Sequence, residues 1–101
     1  FIRYLNRPDD PRSLSNNFIY SIDEDRTGTL WIGTLEGLNR FDRSKGEFTR
    51  YYADSDDPQS LSNSEILSIY EDTSGVLWIG TPCGLNRFDR EKETFTYYTE
   101  K

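Results

Sequence analysis

The sequence predicts an all-β fold of two β-propeller blades, each a four-stranded antiparallel sheet, and three observations support this prediction. The chain repeats itself at a spacing of 47 residues, within the range of about 40–50 residues that a propeller blade spans. Each repeat holds four short segments rich in β-branched and aromatic residues, which favour strands. Two of these segments are apolar on both faces, as in a sheet that is covered on both sides.

The repeat extends over most of the chain, since residues 1–47 and 48–94 are identical at 29 of 47 positions. The motif L-W-I-G-T occurs at 30–34 and again at 77–81, followed each time by G-L-N-R-F-D-R. Phe95 and Tyr98 repeat the phenylalanine and tyrosine that begin both repeats, so one type of strand is expected three times, at 1–5, 48–52 and 95–99. We therefore expect three parts. These are an outer strand of a preceding or neighbouring blade at 1–5, a first blade at 6–52 and a second blade at 53–101.

We expect four strands in each repeat. They span 18–24, 29–33, 38–42 and 48–52 in the first repeat, and 65–71, 76–80, 85–89 and 95–99 in the second. The first turn of each repeat begins with Asp25 or Asp72 and ends with Gly28 or Gly75, which can adopt a positive φ. An aspartate in this position accepts hydrogen bonds from the turn amides.

The second strand of each repeat is apolar on both faces, and this is why we expect the sheets to stack on one another. Leu30 and Ile32 point to one face of this strand, while Trp31 points to the other. Sugar stacking is an alternative role for Trp31 and Trp78, but their place in the middle of a strand favours packing between blades. The residues with an expected structural role are Trp31, Trp78, Asp25, Gly28, Asp72, Gly75, Gly33, Gly80, Gly37 and Gly84.

The composition excludes several classes of function. The chain carries 18 acidic and 12 basic residues, a net charge of −6, which argues against binding to nucleic acid. It has no histidine and a single cysteine, Cys83, so a histidine-based catalytic triad and a usual zinc site are excluded. The acidic run at 54–58 could bind calcium, but an exposed, solvated turn is the more common outcome. We expect no cofactor, no metal site and no catalytic residue.

The best candidate for ligand binding is the rim of the blades. Turns between the second and third strands share one rim with the connections that lead into each first strand, and both differ between the repeats. Drift on an unselected surface explains these differences equally well. The candidate ligand-binding residues are Leu35, Glu36, Pro82, Cys83, Asn17 and Ser64. Nearby, Ser15, Asn16, Ser62 and Asn63 are expected to make local hydrogen bonds at turns or strand starts.

The repeated pattern resembles a known family. The sequence S-L-S-N-x-x-I-x-S-I-x-E-D-x-x-G-x-L-W-I-G-T-x-x-G-L-N-R-F-D-R is similar to the two-component regulator propeller repeat. This resemblance implies part of the extracytoplasmic sensor region of a hybrid histidine kinase, which binds glycan fragments in the periplasm and signals across the membrane. Kinase activity would then belong to a longer parent protein, and this chain would be a non-enzymatic sensing module.

Two blades alone leave an open face at each end, and an exposed apolar face usually marks an interface. Either further blades of the parent cover these faces, or two to four copies of the chain close a ring of roughly 4–8 blades. An assembly module without a small ligand is therefore an alternative function. A fragment of a propeller lyase is a third and weaker one, since the chain lacks histidine. No contact with nucleic acid or membrane is expected, and an oligosaccharide is the expected ligand.

Overall fold

The computed structural model describes residues 2–99, which form two four-stranded antiparallel sheets and confirm the all-β prediction. The first sheet, blade 1, contains β1 (Ile19–Glu24), β2 (Leu30–Thr34), β3 (Gly37–Asp42) and β4 (Glu47–Tyr51). The second sheet, blade 2, contains β5 (Ser68–Glu71), β6 (Leu77–Thr81), β7 (Gly84–Asp89) and β8 (Thr94–Tyr98). Strands adjacent in sequence are adjacent in each sheet, so both blades are simple meanders.

The strand ends lie within one residue of the predicted ones, with one exception. The first strand of blade 2 begins at Ser68, not at residue 65. The reason is that the amide of Ile66 donates a hydrogen bond of 3.0 Å to the carbonyl of Thr34 in blade 1. This part of the chain is therefore tied to the neighbouring blade before it enters its own sheet.

The strand register gives each blade two distinct apolar faces. The face that we call the tryptophan face carries Trp31, Leu38 and Tyr51 in blade 1, and Trp78, Leu85 and Tyr98 in blade 2. The opposite face, the phenylalanine face, carries Phe41 and Phe48 in blade 1, and Phe88 and Phe95 in blade 2. The alternation follows from the two-residue period of a β-strand.

The tryptophan face of blade 1 packs against the phenylalanine face of blade 2. Trp31 is only 1% exposed, and its ring lies 5.2 Å from that of Phe88 at an interplanar angle of 67°. The ring of Tyr51 lies 5.4 Å from Phe88 and 5.8 Å from Phe95, both edge to face. Together with Leu77 and Ile79 these side chains form the larger core, in which each fully buried aliphatic or phenylalanine side chain contributes about 1.5–3 kcal/mol.

The blades approach each other most closely near their first strands, since β5 contacts both β1 and β2. This approach requires a glycine in β2. A Cβ atom added to Gly33 would lie 2.5 Å from Cγ2 of Ile66, whose side chain is fully buried against blade 1. The first strands therefore form the inner edges of two wedge-shaped blades.

Residues 2–5 do not form the predicted outer strand, and Phe1 lies outside the described residues. The side chain of Tyr4 nevertheless takes the position of an outer-strand residue. Its ring lies 4.9 Å from Phe41 and 5.7 Å from Phe48, which repeats the contacts of Tyr51 with blade 2.

Buried hydrogen bonds fix the connection before each blade. Asn39, which is fully buried, accepts a hydrogen bond of 2.9 Å from the amide of Ser15 and donates one of 2.8 Å to its hydroxyl. Asn86 makes the same two bonds with Ser62 at 2.9 Å. The prediction of local bonds for the two serines is therefore wrong, because their partners lie 24 residues away.

Local bonds occur at the next residue of each connection. The side-chain oxygen of Asn16 accepts from the amide of Phe18 at 2.8 Å, and that of Asn63 accepts from the amide of Glu65 at 2.8 Å.

Candidate ligand-binding rim

The β2–β3 and β6–β7 turns lie beside the connections that lead into β1 and β5, and we call this edge of the blades the rim. Leu35 donates its amide hydrogen to the carbonyl of Phe18 at 2.9 Å. The amide of Gly37 donates across the blade boundary to the carbonyl of Ser64 at 2.6 Å. These backbone bonds place the variable segments of both repeats on one continuous surface.

Four of the predicted binding residues are exposed at this rim. Leu35 and Glu36 occupy the β2–β3 turn, and Pro82 and Cys83 occupy the β6–β7 turn. The hydroxyl of Thr34 accepts from the amide of Glu36 at 3.1 Å, which holds the first turn in shape.

The remaining two residues, Asn17 and Ser64, lie on the connections and are occupied by hydrogen bonds. Asn17 accepts the amide hydrogen of Asn6 at 2.6 Å, and the hydroxyl of Ser64 accepts that of Ala53 at 2.9 Å. Each of these hydrogen bonds therefore joins the two ends of one connection. The structure brings Ser64 next to the β2–β3 turn, while Asn17 lies with Asn6 at the entry to β1.

Sequence reasoning missed the most exposed aromatic side chains at the rim. Phe18 is 63% exposed and Tyr20 is 41% exposed, and their rings lie 5.7 Å apart. Partial desolvation and the nearby carboxylate of Glu65 raise the pKa of the Tyr20 hydroxyl. A signal for them existed in the repeat, since Glu65 stands at the position of Phe18 and Leu67 at that of Tyr20.

A shallow groove lies directly beside this aromatic pair. It is lined by Asn6, Asn16, Asn17, Phe18 and Ile19. The groove therefore joins an exposed ring to several amide side chains, which can both donate and accept hydrogen bonds.

The two turn aspartates lie in the β1–β2 and β5–β6 turns, at the edge opposite the rim. Asp25 is 3% exposed and accepts hydrogen bonds from the amides of Thr27 and Thr29 and from the indole of Trp31, at 2.9–3.0 Å. Arg90 of blade 2 donates to the same carboxylate at 2.7 Å. Burial raises the pKa of Asp25, but the hydrogen bonds from Thr27, Arg90 and Trp31 outweigh it and hold this pKa well below its usual range.

Asp72 repeats only part of this arrangement. It accepts hydrogen bonds from the indole of Trp78 at 3.0 Å and from the amide of Val76 at 3.0 Å, which lower its pKa. The turn glycines, Gly28 and Gly75, both have a φ of 86°, which side chains other than glycine rarely adopt. Both carboxylates thus fix turns and indole rings.

The other predicted structural glycines lie in or beside the β2–β3 and β6–β7 turns. Gly33 and Gly80 occupy equivalent positions in β2 and β6, and Gly37 and Gly84 begin β3 and β7.

In the acidic run at 54–58, Asp54 accepts the amide hydrogen of Asp56 and Asp57 accepts that of Gln59, each at 2.9 Å. Within residues 2–99, no group of three side chains is placed to hold a metal ion.

Comparison with known proteins agrees with the blade geometry. The family model described as a two component regulator propeller matches residues 13–36 and 60–82, once in each repeat. Both repeats of the chain therefore match the two-component regulator propeller repeat. Each match runs from the connection through β1 and β2, or β5 and β6, into the next turn, so it includes both the packing positions and part of the rim.

Solved structures of extracellular domains from two-component systems resemble the chain. The extracellular domain of the hybrid two component system BT3049 from B. thetaiotaomicron is 38% identical, with a TM-score of 0.74 over 95% of this chain and 14% of that one. The extracellular domain of the hybrid two component system BT4673 from the same organism is 34% identical, with a TM-score of 0.67 over 81% of this chain and 11% of that one. No curated protein sequence matches the chain.

The chain therefore spans about a seventh or less of those extracellular domains. Residues 2–99 contain no helix that is long and apolar enough to cross a membrane.

Proposed function

We propose that this chain is a non-enzymatic part of an extracytoplasmic sensor propeller, and that its rim binds a neutral oligosaccharide. The observation that carries the proposal is the exposed pair of rings, Phe18 and Tyr20, at the inner end of blade 1. Aromatic rings present a flat apolar surface that suits the C–H face of a sugar. Binding at this rim would give the longer parent protein its signal, which it would convert into phosphotransfer.

Polar groups around the rings suit the hydroxyl groups of a sugar. Asn16 and Asn17 line the groove next to Phe18, and Glu65 lies near Tyr20. Carboxylate and amide oxygens accept hydrogen bonds from hydroxyl groups, and amide nitrogens donate them. A ring flanked by such groups favours a carbohydrate over a purely apolar ligand.

The charge of the chain favours a neutral sugar over an acidic one. The net charge is −6, and Glu36 and Glu65 both lie at the rim. A uronic acid or a sulfated sugar would be repelled by these carboxylates.

Saturation-transfer NMR tests this proposal, because it detects weak binding. We expect transfer of saturation from the protein to a neutral oligosaccharide of glucose, mannose or xylose, and weaker transfer to an oligogalacturonate. Phe18→Ala and Tyr20→Ala should each remove most of the transfer. Tyr70→Ala is the matched control, since Tyr70 is 60% exposed but lies on the tryptophan face of blade 2, away from the rim.

Two results would contradict the proposal. One is the absence of transfer to every neutral oligosaccharide tested, and the other is an equal loss in Tyr70→Ala. Without any transfer, an assembly module without a small ligand would be the better description, and the open faces of the two blades favour that second candidate. An equal loss in Tyr70→Ala would mean that the sugar does not bind at the rim.

A further inference from the structure

Each blade lacks a neighbouring blade on one face, and these two faces repeat the apolar residues of the buried contact between the blades. Leu38 is fully buried on the tryptophan face of blade 1, whereas the equivalent Leu85 of blade 2 is 44% exposed. On the other side, Ile66 is fully buried against blade 1, whereas the equivalent Ile19 of blade 1 is 43% exposed.

We propose that a second copy of this chain docks head to tail on these faces. The phenylalanine face of blade 1 in one copy would lie on the tryptophan face of blade 2 in the other. The contact continues the one that already joins the two blades within the chain, so its geometry is known. It requires no ligand.

The closest fit in this contact is between an isoleucine and a glycine. Within the chain, Ile66 reaches so near to Gly33 that a Cβ atom there would lie 2.5 Å from its Cγ2. Gly80 is the equivalent glycine of blade 2, and a Cβ atom added there would meet only the side chain of Ser68. The space beside Gly80 is therefore open to Ile19 of the second copy.

Charge complementarity supports the same orientation. Arg90 joins the blades by donating to Asp25 of blade 1 at 2.7 Å, and it also donates to Glu71 of its own blade at 3.0 Å. Its equivalent in blade 1, Arg43, already contacts Glu24 at 3.3 Å, which repeats the second of these bonds. The first bond would be completed by Asp72 of the second copy.

Two polar contacts of the internal interface would be missing. Glu93, which accepts hydrogen bonds from Tyr51 and Arg40, is replaced in blade 1 by Gly46. Arg26, which donates to the carbonyl of Thr73 at 2.9 Å, is replaced in blade 2 by Thr73 itself. Docking between copies should therefore be weaker than packing within the chain.

The N-terminal segment competes with the docking copy. Tyr4 covers Phe41 and Phe48 in the way that Tyr51 covers Phe88 and Phe95, and Tyr98 of the second copy would need the same place. Residues 2–5 do not form a strand, whereas Tyr98 belongs to strand β8, which is paired with β7 along its length. We therefore expect β8 of the second copy to displace this segment.

Sedimentation velocity of the 101-residue chain over a range of concentrations tests the proposal. Reducing agent is needed because Cys83 is exposed. We expect a concentration-dependent increase in mass, up to a closed ring of two to four copies. Ile19→Asp and Leu85→Asp should each weaken self-association by at least about tenfold, since each buries a charge in an apolar contact. Leu35→Asp, at an equally exposed leucine in the β2–β3 turn, should associate like the unaltered chain.

An equimolar mixture of Ile19→Asp and Leu85→Asp separates this orientation from all others. Each variant retains one functional face, so the mixture should form a dimer of one copy of each and nothing larger. Tyr4→Ala should strengthen the association of the unaltered faces. If either aspartate variant fails to fold, Ile22→Asp and Tyr70→Asp repeat the test on the same two faces, where these residues are 61% and 60% exposed.

The proposal is overturned if the unaltered chain stays monomeric at every concentration, which would assign the open faces to other repeats of a longer chain. It is also overturned if the mixture stays monomeric, or if both aspartate variants associate like the Leu35→Asp control. A weaker association in Tyr4→Ala would contradict the competition by the N-terminal segment.

Discussion

Two aspartates in equivalent positions show how neighbours change the role of a residue. Asp25 and Asp72 both accept hydrogen bonds from turn amides and from a tryptophan indole. Only Asp25 also receives Arg90 from the next blade, and only Asp25 is buried. The same residue therefore closes a turn in blade 2, but closes a turn and joins the two blades in blade 1.

Asp25→Asn should destabilise the protein more than Asp72→Asn. Oδ2 of Asp25 accepts hydrogen bonds from both Trp31 and Arg90, while Oδ1 accepts them from the turn amides. Asparagine has one acceptor oxygen and no charge, so it loses one of these two sets and weakens the bond from Arg90, and a hydrogen bond to a charged group contributes about 1.5–3 kcal/mol. We expect a loss of this size for Asp25→Asn and a smaller one for the matched Asp72→Asn, measured by urea unfolding. Equal losses would mean that the bond from Arg90 contributes nothing.

The stability of the chain should fall in acid because of this carboxylate. The pKa of Asp25 is lower in the folded state than in the unfolded chain, where it is about 3.9. Its stabilising effect is thus fully present above that pH and is lost as the pH falls toward the folded-state pKa. Urea unfolding between about pH 6 and pH 2.5 should show the difference between the unaltered chain and Asp25→Asn shrinking in acid. A constant difference would contradict this assignment.

At the scale of single residues, the sequence predicts local bonds well and distant ones poorly. The aspartate and glycine of each turn follow from their three-residue spacing, because a turn is a local structure. The bonds of Ser15 with Asn39 and of Arg90 with Asp25 join residues that are 24 and 65 positions apart. No local pattern indicates which distant side chain will come within reach.

The strands were predictable because the residue patterns that indicate them occur in both repeats. Apolar residues and flanking glycines recur in both copies, and most strand ends lie within one residue of the expected ones. The failures occur where strand pairing depends on a second blade. The chain at Ile66 bonds to blade 1 before β5 begins, and residues 2–5 lie beside blade 1 without a strand to pair with.

Substitution of the β2 glycine tests how closely the two blades approach. In Gly33→Ala the new methyl group would collide with Ile66 of blade 2, and overpacking of this kind costs about 1–3 kcal/mol. Gly80→Ala is the matched control, because only the side chain of Ser68 lies near it. Urea unfolding of dilute protein should show the larger loss for Gly33→Ala. Equal stability of both variants would place the blades farther apart.

On the scale of the whole molecule, the repeat predicts the architecture, and the burial of individual residues distinguishes the two copies. The motif L-W-I-G-T-x-x-G-L-N-R-F-D-R is identical in both repeats. It therefore cannot indicate which blade has its tryptophan face covered, since that depends on the order of the blades along the chain. The same limit applies to the rim. Phe18 ends a variable connection and Tyr20 lies in β1, and only the fold reveals that their rings are exposed beside a groove.

The two tryptophans test the central claim, that a blade is complete only when another covers its tryptophan face. NMR with a dissolved paramagnetic agent measures the solvent contact of both rings in the unaltered chain, which has only Trp31 and Trp78. In dilute protein, we predict clearly stronger relaxation for the ring protons of Trp78, which is half-buried, than for those of Trp31, which is 1% exposed. Equal relaxation of the two rings in dilute protein would contradict the account.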